Sequence, residues 1–239
     1  MSSIAIITAR GGSKRIPRKN IKEFCGQPIL AYSIQAALES KLFNEVMVST
    51  DDKEIAEVAL AYGAKVPFYR SEKTSDDYAT TADVLREVLE EYKKIGKTYE
   101  WMCCIYPTAP FVTAAKLQAA FTDLQAAGAD ALVPVVKFTY PPQRCFVIKN
   151  NKLVYKWPEY TRARSQDLEP FFHDAGQYYF VKTKIFEDKL TLFPEGTIPY
   201  LLDEMAVQDI DTIDDWKIAE IKYQAMKTKA GGKYDSFSC

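Results

Sequence analysis

The chain is poor in the residues that mark zinc proteins and disulfide-bonded proteins. It has one histidine and five cysteines (25, 103, 104, 145 and 239) without CxxC spacing, which argues against a zinc cluster and predicts free thiols in a reducing cytoplasm. Lys plus Arg (31) balance Asp plus Glu (32), so no overall charge attracts nucleic acid or an anionic membrane. No apolar run could span a bilayer, and Arg10 interrupts the first one too early for a signal peptide. We therefore expect a cytoplasmic protein of one domain, residues 1–239, with one sizeable core.

Short apolar runs alternate with helical patterns over the first 137 residues. The runs predict strands at 4–8, 45–49, 65–69, 102–106 and 131–136. Helices are predicted at 28–38, with Pro28 at the first helical position, and at 51–62, 80–95 and 113–127, each of these three closely followed by glycine. This alternation predicts an α/β fold with a mostly parallel sheet, whose ligands bind at the carboxyl ends of the strands.

The pattern changes between residues 138 and 172. Pro141-Pro142, Asn150-Asn151 and Pro158 separate short β-like pieces at 145–149 and 152–156, which predicts an inserted β arm rather than a second domain. A tyrosine-rich strand at 177–182, a last helix at about 212–228 and a frayed tail at 231–239 complete the prediction.

A basic segment, ARGGSKRIPRKN (residues 9–20), follows the first strand. It carries five cations and no acid, and it matches neither the Walker A motif nor GxGxxG. The adjacent glycines allow the backbone to approach a ligand and form an anion nest, and Pro17 stiffens the loop. A solvated charged turn is the alternative, but this concentration of charge favours a polyanion such as a triphosphate.

An acidic segment lies near the other end of the chain. Residues 203–215 hold six carboxylates and no Lys or Arg. In an extended segment Asp209 and Asp211 point the same way on either side of Ile210, an arrangement that suits Mg²⁺, with Mn²⁺ as a substitute. Alternatively, Asp211 or Thr212 caps the last helix, and Asp214-Asp215 suit its first turn. Together the two segments suggest metal-assisted attack at phosphorus.

Several motifs together resemble the CMP-sialic acid synthetases (acylneuraminate cytidylyltransferases). They are ARGGSKRIPRKN with FCGQPILAYSIQAA, VSTDDKEIAEVALAYGA, RSEKTSDDYATTADVL, YPTAPF and QDIDTIDDW. The resemblance covers nearly the whole chain and implies a Rossmann-like, three-layer αβα nucleotidyltransferase fold. It also implies that CTP and a nine-carbon 2-keto acid sugar give the CMP-sugar and pyrophosphate. The arm at about 138–172 resembles the family's dimerisation region, which implies a homodimer.

Two departures from the family pattern bear on the sugar. Tyr106-Pro107-Thr108-Ala109-Pro110 stands where the sialic enzymes carry Gln-Pro-Thr-Ser-Pro, and His173-Asp174-Ala175-Gly176 stands where they carry Arg-Pro-Asn-Gly. These segments look like the subgroup that uses pseudaminic acid in flagellin and surface-glycan pathways. Legionaminic or N-acetylneuraminic acid, a different nucleotidyltransferase reaction and a catalytically silent nucleotide-binding module are the alternatives.

The resemblance also implies roles for individual residues. Lys19, Arg10 and Asp211 are expected to act in catalysis, and Asp209 and Asp211 to bind the metal. The expected substrate-binding residues are Arg10, Ser13, Lys19 and Asn20 for the phosphates and ribose, Arg70, Ala79 and Thr80 for cytosine, and Tyr106, Arg144, Arg164, His173 and Gln177 at or near the sugar. Arg144 or Arg164 could pair with the sugar carboxylate. For His173, a pocket-wall role and a substrate-binding role are equally favoured, and a general base oriented by Asp174 is the less favoured alternative.

Overall fold

The computed structural model describes residues 2–76 and 78–230, with side chains described up to 228. Eleven strands lie in this part of the chain: β1 Ser3–Thr8, β2 Glu23–Phe24, β3 Gln27–Pro28, β4 Glu45–Ser49, β5 Trp101–Ile105, β6 Ala131–Lys137, β7 Phe146–Lys149, β8 Lys152–Tyr155, β9 Phe172–Asp174, β10 Tyr178–Lys182 and β11 Ile198–Leu201. Its α-helices are α1 Ile29–Ser40, α2 Lys53–Ala61, α3 Glu72–Ser75, α4 Thr81–Lys94, α5 Ala114–Ala127, α6 Thr183–Lys189 and α7 Ile213–Ala230. The tail predicted at 231–239, with Cys239, lies outside the described residues.

Seven of the strands form one mixed sheet in the order β11-β6-β10-β5-β1-β4, with β9 also pairing to β6. β4, β1 and β5 are parallel, as are β6 and β11, whereas β9 and β10 run antiparallel to their neighbours. The prediction of a mostly parallel sheet is therefore confirmed. The carboxyl ends of β1 and β5 share one edge, and the basic loop leaves the sheet at this edge.

Helices cover both faces of the sheet because the strands are apolar on both sides. On one face, Ala5 and Ile7 of β1 pack with α1, α2 and α5. On the other, Ile4 and Ile6 pack with α4 and with Phe186 of α6. All four β1 residues are fully buried, which is typical of a strand inside a three-layer αβα sandwich.

The prediction of a strand at 65–69 was wrong beyond its first residue, Lys65. Lys65 pairs with Met47, donating to Val46 O and accepting from Val48 N at 2.9 Å each. The next donor in a parallel ladder would be residue 67, and Pro67 has no N–H. The ladder therefore stops, and backbone contact returns at Arg70, whose N–H donates to Thr50 O at 2.9 Å.

The helix predictions hold with small shifts at their ends. Pro28 precedes α1 as its N-cap rather than occupying the first helical position. Thr80 caps α4 in a reciprocal capping box with Asp83, and Thr113 caps α5. Gly128 ends α5 with φ of 62°, a left-handed backbone that glycine adopts without strain.

The arm predicted at 138–172 contains a two-stranded hairpin of β7 and β8. Its turn is Asn150-Asn151, and both residues have positive φ, 50° and 58°, as a type I′ turn requires. Ile148 and Leu153 on this hairpin are 76% and 65% exposed. The arm also reaches one residue into the main sheet, because β9 begins at Phe172 and pairs with β6.

A buried carboxylate, Glu45, ties β4 to the segment beyond α4. It accepts hydrogen bonds from Tyr92 Oη (2.5 Å), Lys97 Nζ (2.9 Å) and Lys65 Nζ (3.1 Å). Burial by itself would raise the pKa of Glu45, but these hydrogen bonds outweigh it and lower that pKa to about 2. Glu45 is therefore an anion that the fold stabilises.

Two expectations from the sequence concern disulfide bonds and membrane-spanning segments. Cys25, Cys103, Cys104 and Cys145 are all free thiols. Of the helices formed by residues 2–76 and 78–230, none combines the length and apolar character needed to cross a membrane.

Candidate active site

A cleft of about 410 Å³ opens beyond the carboxyl ends of β1 and β5. It is lined by the basic loop on one side and by the segment after β5 on the other. The lining residues are Thr8, Arg10, Ser13, Lys14, Arg15, Ile16, Lys19, Asn20, Tyr106, Pro107 and Thr108. Four cationic side chains thus face one cavity, as the sequence predicts for a polyanion site.

Hydrogen bonds and ion pairs hold the basic loop in place. Gly11 N–H donates to Asp51 Oδ1 at 2.8 Å, and buried Asn20 donates from Nδ2 to Arg10 O at 2.9 Å. A Cβ at Gly11 would lie 2.8 Å from Asp52 Oδ2, so this glycine is required by close packing. The fifth cation, Arg18, is ion-paired with Asp52 and Glu54. It holds the loop in place and is not among the residues that line the cleft.

The N–H groups of Gly11 and Ser13 do not form the anion nest that the adjacent glycines predict. Gly11 N–H is bonded to Asp51, and Ser13 N–H donates to Gly11 O at 2.9 Å. In this conformation the positive side chains, rather than these N–H groups, supply the charge that faces the cleft.

Lys19 connects the basic loop to the acidic segment. Its Nζ donates to Ile210 O at 2.7 Å and lies 3.7 Å from Asp211 Oδ1. Arg15 adds a 2.9 Å bond to Asp211 Oδ2. Burial lowers the pKa of Lys19, while the negative charges of Asp211 and Asp209 oppose that shift. Two segments far apart in the sequence therefore form one charged cluster beside the cleft.

Asp209 and Asp211 project outward from either side of Ile210, which is 1% exposed and packs with Phe24 and Trp216. The cap of α7 is formed by Thr212 and Asp215: Asp215 N–H donates to Thr212 Oγ1 at 3.2 Å, and Thr212 N–H donates to Asp215 Oδ2 at 2.7 Å. The Asp211 side chain is thus not the helix cap, and its carboxylate faces the cations instead.

The two outward aspartates fit a magnesium ion by their chemistry. Partial desolvation and the neighbouring Asp211 carboxylate raise the pKa of Asp209, so a cation between the two would relieve unfavourable charge. The described residues hold no cluster of three or more His, Cys, Asp or Glu side chains that could bind a metal. Mg²⁺ commonly takes one or two carboxylates and fills its remaining positions with water and phosphate oxygens.

The segment expected to read cytosine lies next to the basic loop. Arg10 Nη1 donates to Asp76 O at 3.0 Å, and Ala79 N–H donates to Asp76 Oδ1 at 2.7 Å. The Thr80 hydroxyl is engaged in the cap of α4. Arg70 donates to Ser49 O at 2.8 Å, and burial lowers its pKa. None of Arg70, Ala79 and Thr80 lines the first cleft.

A second cleft, of about 400 Å³, is lined in part by the acidic segment. Its lining residues are Val136, Lys137, Phe138, Thr139, Tyr140, His173, Glu204, Val207, Gln208, Asp209 and Lys222. The acidic segment therefore contacts both cavities, because Asp209 lines the second cleft and Asp211 contacts Lys19 and Arg15 of the first.

His173 is an exposed residue of the second cleft. Its ring lies 4.7 Å from that of Phe138, and its Nδ1 is 2.9 Å from Asp174 O. The Asp174 carboxylate instead accepts from Gly176 N–H (2.8 Å) and Tyr179 Oη (2.7 Å). In this structure Asp174 therefore does not orient His173 through its carboxylate, which removes the arrangement considered for a general base.

The other residues predicted to lie at or near the sugar do not share one cavity. Tyr106 lines the first cleft, and buried Gln177 donates from Nε2 to Ala206 O at 2.6 Å, behind the acidic segment. Arg144 lines a separate groove on the arm, where it donates to Ser165 Oγ. Arg164 is bound bidentately by Asp167 at 2.7 and 3.1 Å. Within the described chain, neither arginine lines either of the two clefts beside the aspartates.

Sequence reasoning did not single out Lys222 or Lys137, which line the second cleft. Lys222 reads as one of several lysines on the last helix, and Lys137 as the polar end of a strand. No motif marks either residue. Only the packing of α7 against the acidic segment brings Lys222 to the site.

Comparison with known proteins gives a consistent family. A family model described as cytidylyltransferase matches residues 4–228. The chain is 42% identical over 225 residues to the pseudaminic acid cytidylyltransferase of Campylobacter jejuni, covering 94% of this chain and 97% of that protein. It is 32% identical over 227 residues to the CMP-N,N'-diacetyllegionaminic acid synthase of Legionella pneumophila, covering 92% and 95%.

A solved structure shares the fold. CMP:2-keto-3-deoxy-manno-octonic acid synthetase complexed with CTP matches with a TM-score of 0.67 at 15% identity, covering 95% of this chain and 100% of that one. At this identity the likeness concerns the fold, and it confirms the Rossmann-like αβα architecture of a nucleotidyltransferase.

Proposed function

The chain belongs to the cytidylyltransferase family, and on that premise we propose that it couples CTP to pseudaminic acid, giving the CMP-sugar and pyrophosphate. The observation that carries the proposal is the contact between the two charged segments, in which Lys19 Nζ lies 2.7 Å from Ile210 O and 3.7 Å from Asp211. Through this contact a cationic cleft adjoins the segment that carries the two aspartates. The substrate follows from the 42% identical relative of that name.

The first cleft receives the triphosphate. Arg10, Lys14, Arg15 and Lys19 line it, and their charges offset those of the phosphates. Lys19 and Arg10 stabilise the charge that develops as pyrophosphate leaves. Since the basic loop is already held by Asp51 and Asp52, little reorganisation is needed when the nucleotide binds.

Asp209 and Asp211 would hold Mg²⁺, or Mn²⁺ in its place. When bound, the ion would neutralise phosphate charge and orient the phosphates for attack. The protein's own contribution is to present two outward carboxylates on an extended segment that buried Ile210 anchors. Arg15 and Lys19, which now neutralise Asp211, would then be available to the phosphates.

The second cleft receives the sugar. Its position beyond Asp209 lets the anomeric C2 hydroxyl approach the α-phosphorus from the side opposite the pyrophosphate. The new bond joins that oxygen to the α-phosphorus, and the bond from the α-phosphorus to the oxygen that bridges the α- and β-phosphates breaks. Pyrophosphate leaves with that oxygen, and the proton of the hydroxyl passes to water. His173 and Phe138 form part of the wall of this cleft, where they would contact substituents of the sugar.

We further propose a cytoplasmic homodimer formed through the arm. Exposed Ile148 and Leu153 lie on its hairpin, and such apolar surface is stabilised when a partner covers it. A cytoplasmic location agrees with the use of CTP and with the free thiols of Cys25 and Cys145.

The test is a pyrophosphate-release assay that crosses four nucleoside triphosphates with several nonulosonic acids, with and without Mg²⁺. We expect release only with CTP and Mg²⁺, fastest with pseudaminic acid. A preference for a legionaminic acid, the sugar named for the 32% identical relative, would reassign the substrate and leave the chemistry intact. N-acetylneuraminic acid belongs in the same panel. CTP binding without turnover of any sugar would reject the enzyme assignment in favour of a silent binding module.

A further inference from the structure

Lys222 lies near the middle of α7, and its ammonium group is held against the acidic segment. Its Nζ donates to Glu204 O at 3.2 Å and to Val207 O at 2.8 Å. The turn that carries these carbonyls is braced a second time, because Gln177 Nε2 donates to Ala206 O at 2.6 Å. The position of the ammonium group is therefore fixed before any ligand binds.

The charge of Lys222 is not neutralised by its partners in the described residues. Both partners are carbonyl oxygens, whereas Lys19 and Arg15 contact the Asp211 carboxylate and Lys217 contacts that of Asp214. An ammonium group has three N–H donors, and two of them are used by the carbonyls. One donor and a full positive charge remain for a ligand.

Lys222 shares the second cleft with Asp209, Glu204, His173 and Lys137. The two acids make this cleft unfavourable for an anion, so an anionic substrate needs a cation held close to it. The Lys137 ammonium group has no hydrogen-bond or ion-pair partner among the described residues, so this side chain would lose conformational entropy on binding. Lys222 is already positioned, so it loses less side-chain entropy when a ligand binds.

We propose that Lys222 binds the carboxylate of the sugar substrate and thereby sets the selectivity for 2-keto acid sugars. This inference rests on the proposed function. In such a sugar the C1 carboxylate is bonded directly to C2, whose hydroxyl attacks phosphorus, so the carboxylate must lie within a few bond lengths of the reaction centre. Lys222 lines the same cleft as Asp209, whereas Arg144 and Arg164 lie elsewhere on the arm.

The test measures steady-state kinetics of wild type, Lys222→Met and Lys222→Arg with pseudaminic acid and CTP. Lys222→Met should raise the KM for the sugar about 10- to 100-fold, the range expected for losing a hydrogen bond between charged groups. The KM for CTP should stay the same, and Lys222→Arg should restore part of the sugar affinity. The matched control is Lys217→Met, on the same helix but paired with Asp214 at the surface, which should behave as wild type.

A neutral analogue separates carboxylate binding from bracing of the turn. The C1 carboxamide of the sugar is tested as an inhibitor competing with the acid. Its inhibition constant should be nearly equal for wild type and Lys222→Met, since it carries no charge for Lys222 to bind. Equal weakening of acid and amide, an unchanged KM for the sugar, or a rise in the KM for CTP as large as that for the sugar would each overturn the inference. An inactive wild type would instead reject the proposed function, and CTP binding and melting temperature verify that the variants fold.

Discussion

The roles of Asp211 and Thr212 can be separated, because these neighbours face different partners. The Asp211 carboxylate contacts Arg15 at 2.9 Å and Lys19 at 3.7 Å. The Thr212 hydroxyl accepts from Asp215 N–H and donates to the Asp215 carboxylate at 2.7 Å, which caps α7. Asp211→Asn should therefore remove activity with little loss of stability, and Thr212→Ala should do the reverse.

The expected magnitudes follow from exposure and from the type of contact. Arg15 and Asp211 are 66% and 39% exposed, so their ion pair contributes about 0.2–1 kcal/mol to the free energy of unfolding. In a chain of this size that is a shift in melting temperature of at most about 2–4 °C. Loss of the Thr212 cap costs about 0.5–2 kcal/mol. Removing a charge that organises the reaction lowers turnover by about 10²-fold or more.

Both variants are compared with wild type by thermal unfolding and by pyrophosphate release under saturating CTP and sugar, over a range of Mg²⁺ concentrations. For Asp211→Asn we expect a low turnover number and a melting curve close to that of wild type. A parallel loss of stability and turnover in Asp211→Asn, or normal turnover at ordinary Mg²⁺, would refute the assignment of this carboxylate to the reaction.

Three further predictions address the loop, the core and the arm. Lys19→Ala should leave the fold intact and lower turnover by about 10²-fold or more, while Lys94→Ala on the surface of α4 serves as a control; near-normal turnover of Lys19→Ala would remove Lys19 from the mechanism. The pKa of Glu45 in the folded protein, about 2, lies below its ordinary value of 4.5, so its contribution to stability is complete above about pH 4.5 and is lost as the pH falls toward 2. Integrated over this window it amounts to about 3 kcal/mol, and denaturant titrations of Glu45→Gln should show a flatter acid limb than wild type; an identical limb would contradict the predicted linkage. Ile148→Asp should convert the proposed dimer to a monomer in sedimentation experiments; a dimer that persists would place the interface elsewhere, and a monomeric wild type would reject the dimer.

Local sequence signals predicted most elements because their causes are local. The Thr80 capping box, the Thr113 cap and the Asn150-Asn151 turn each depend on residues a few positions apart, and such patterns can be read directly from sequence. The strand at 65–69 failed for an equally local reason, the missing N–H of Pro67. The break between β9 and β10, by contrast, does not follow from local sequence alone. Gly176, with φ of 62°, lies between the two strands. Both strands pair with β6, which is distant in sequence.

For the candidate site, too, some features could be predicted from local sequence and others depend on tertiary contacts. The sequence predicted the two charged segments and the extended Asp209-Ile210-Asp211 arrangement, but it left open whether Asp211 caps a helix. It counted Arg18 among the ligand cations, whereas the structure uses Arg18 to hold the loop through Asp52 and Glu54. It also gave no reason to choose Lys222 from the lysines of α7.

By itself the sequence determined the chemistry that this chain can support. The number and spacing of charges in residues 9–20 and 203–215 predict a polyanion site and a carboxylate pair, since charge and alternation along a strand are properties of the chain. Only the tertiary structure decided which charges meet. It turned Lys19 toward Asp211, directed Arg18 away and placed Lys222 in the second cleft, because these contacts depend on how the sheet and α7 pack rather than on neighbours in sequence.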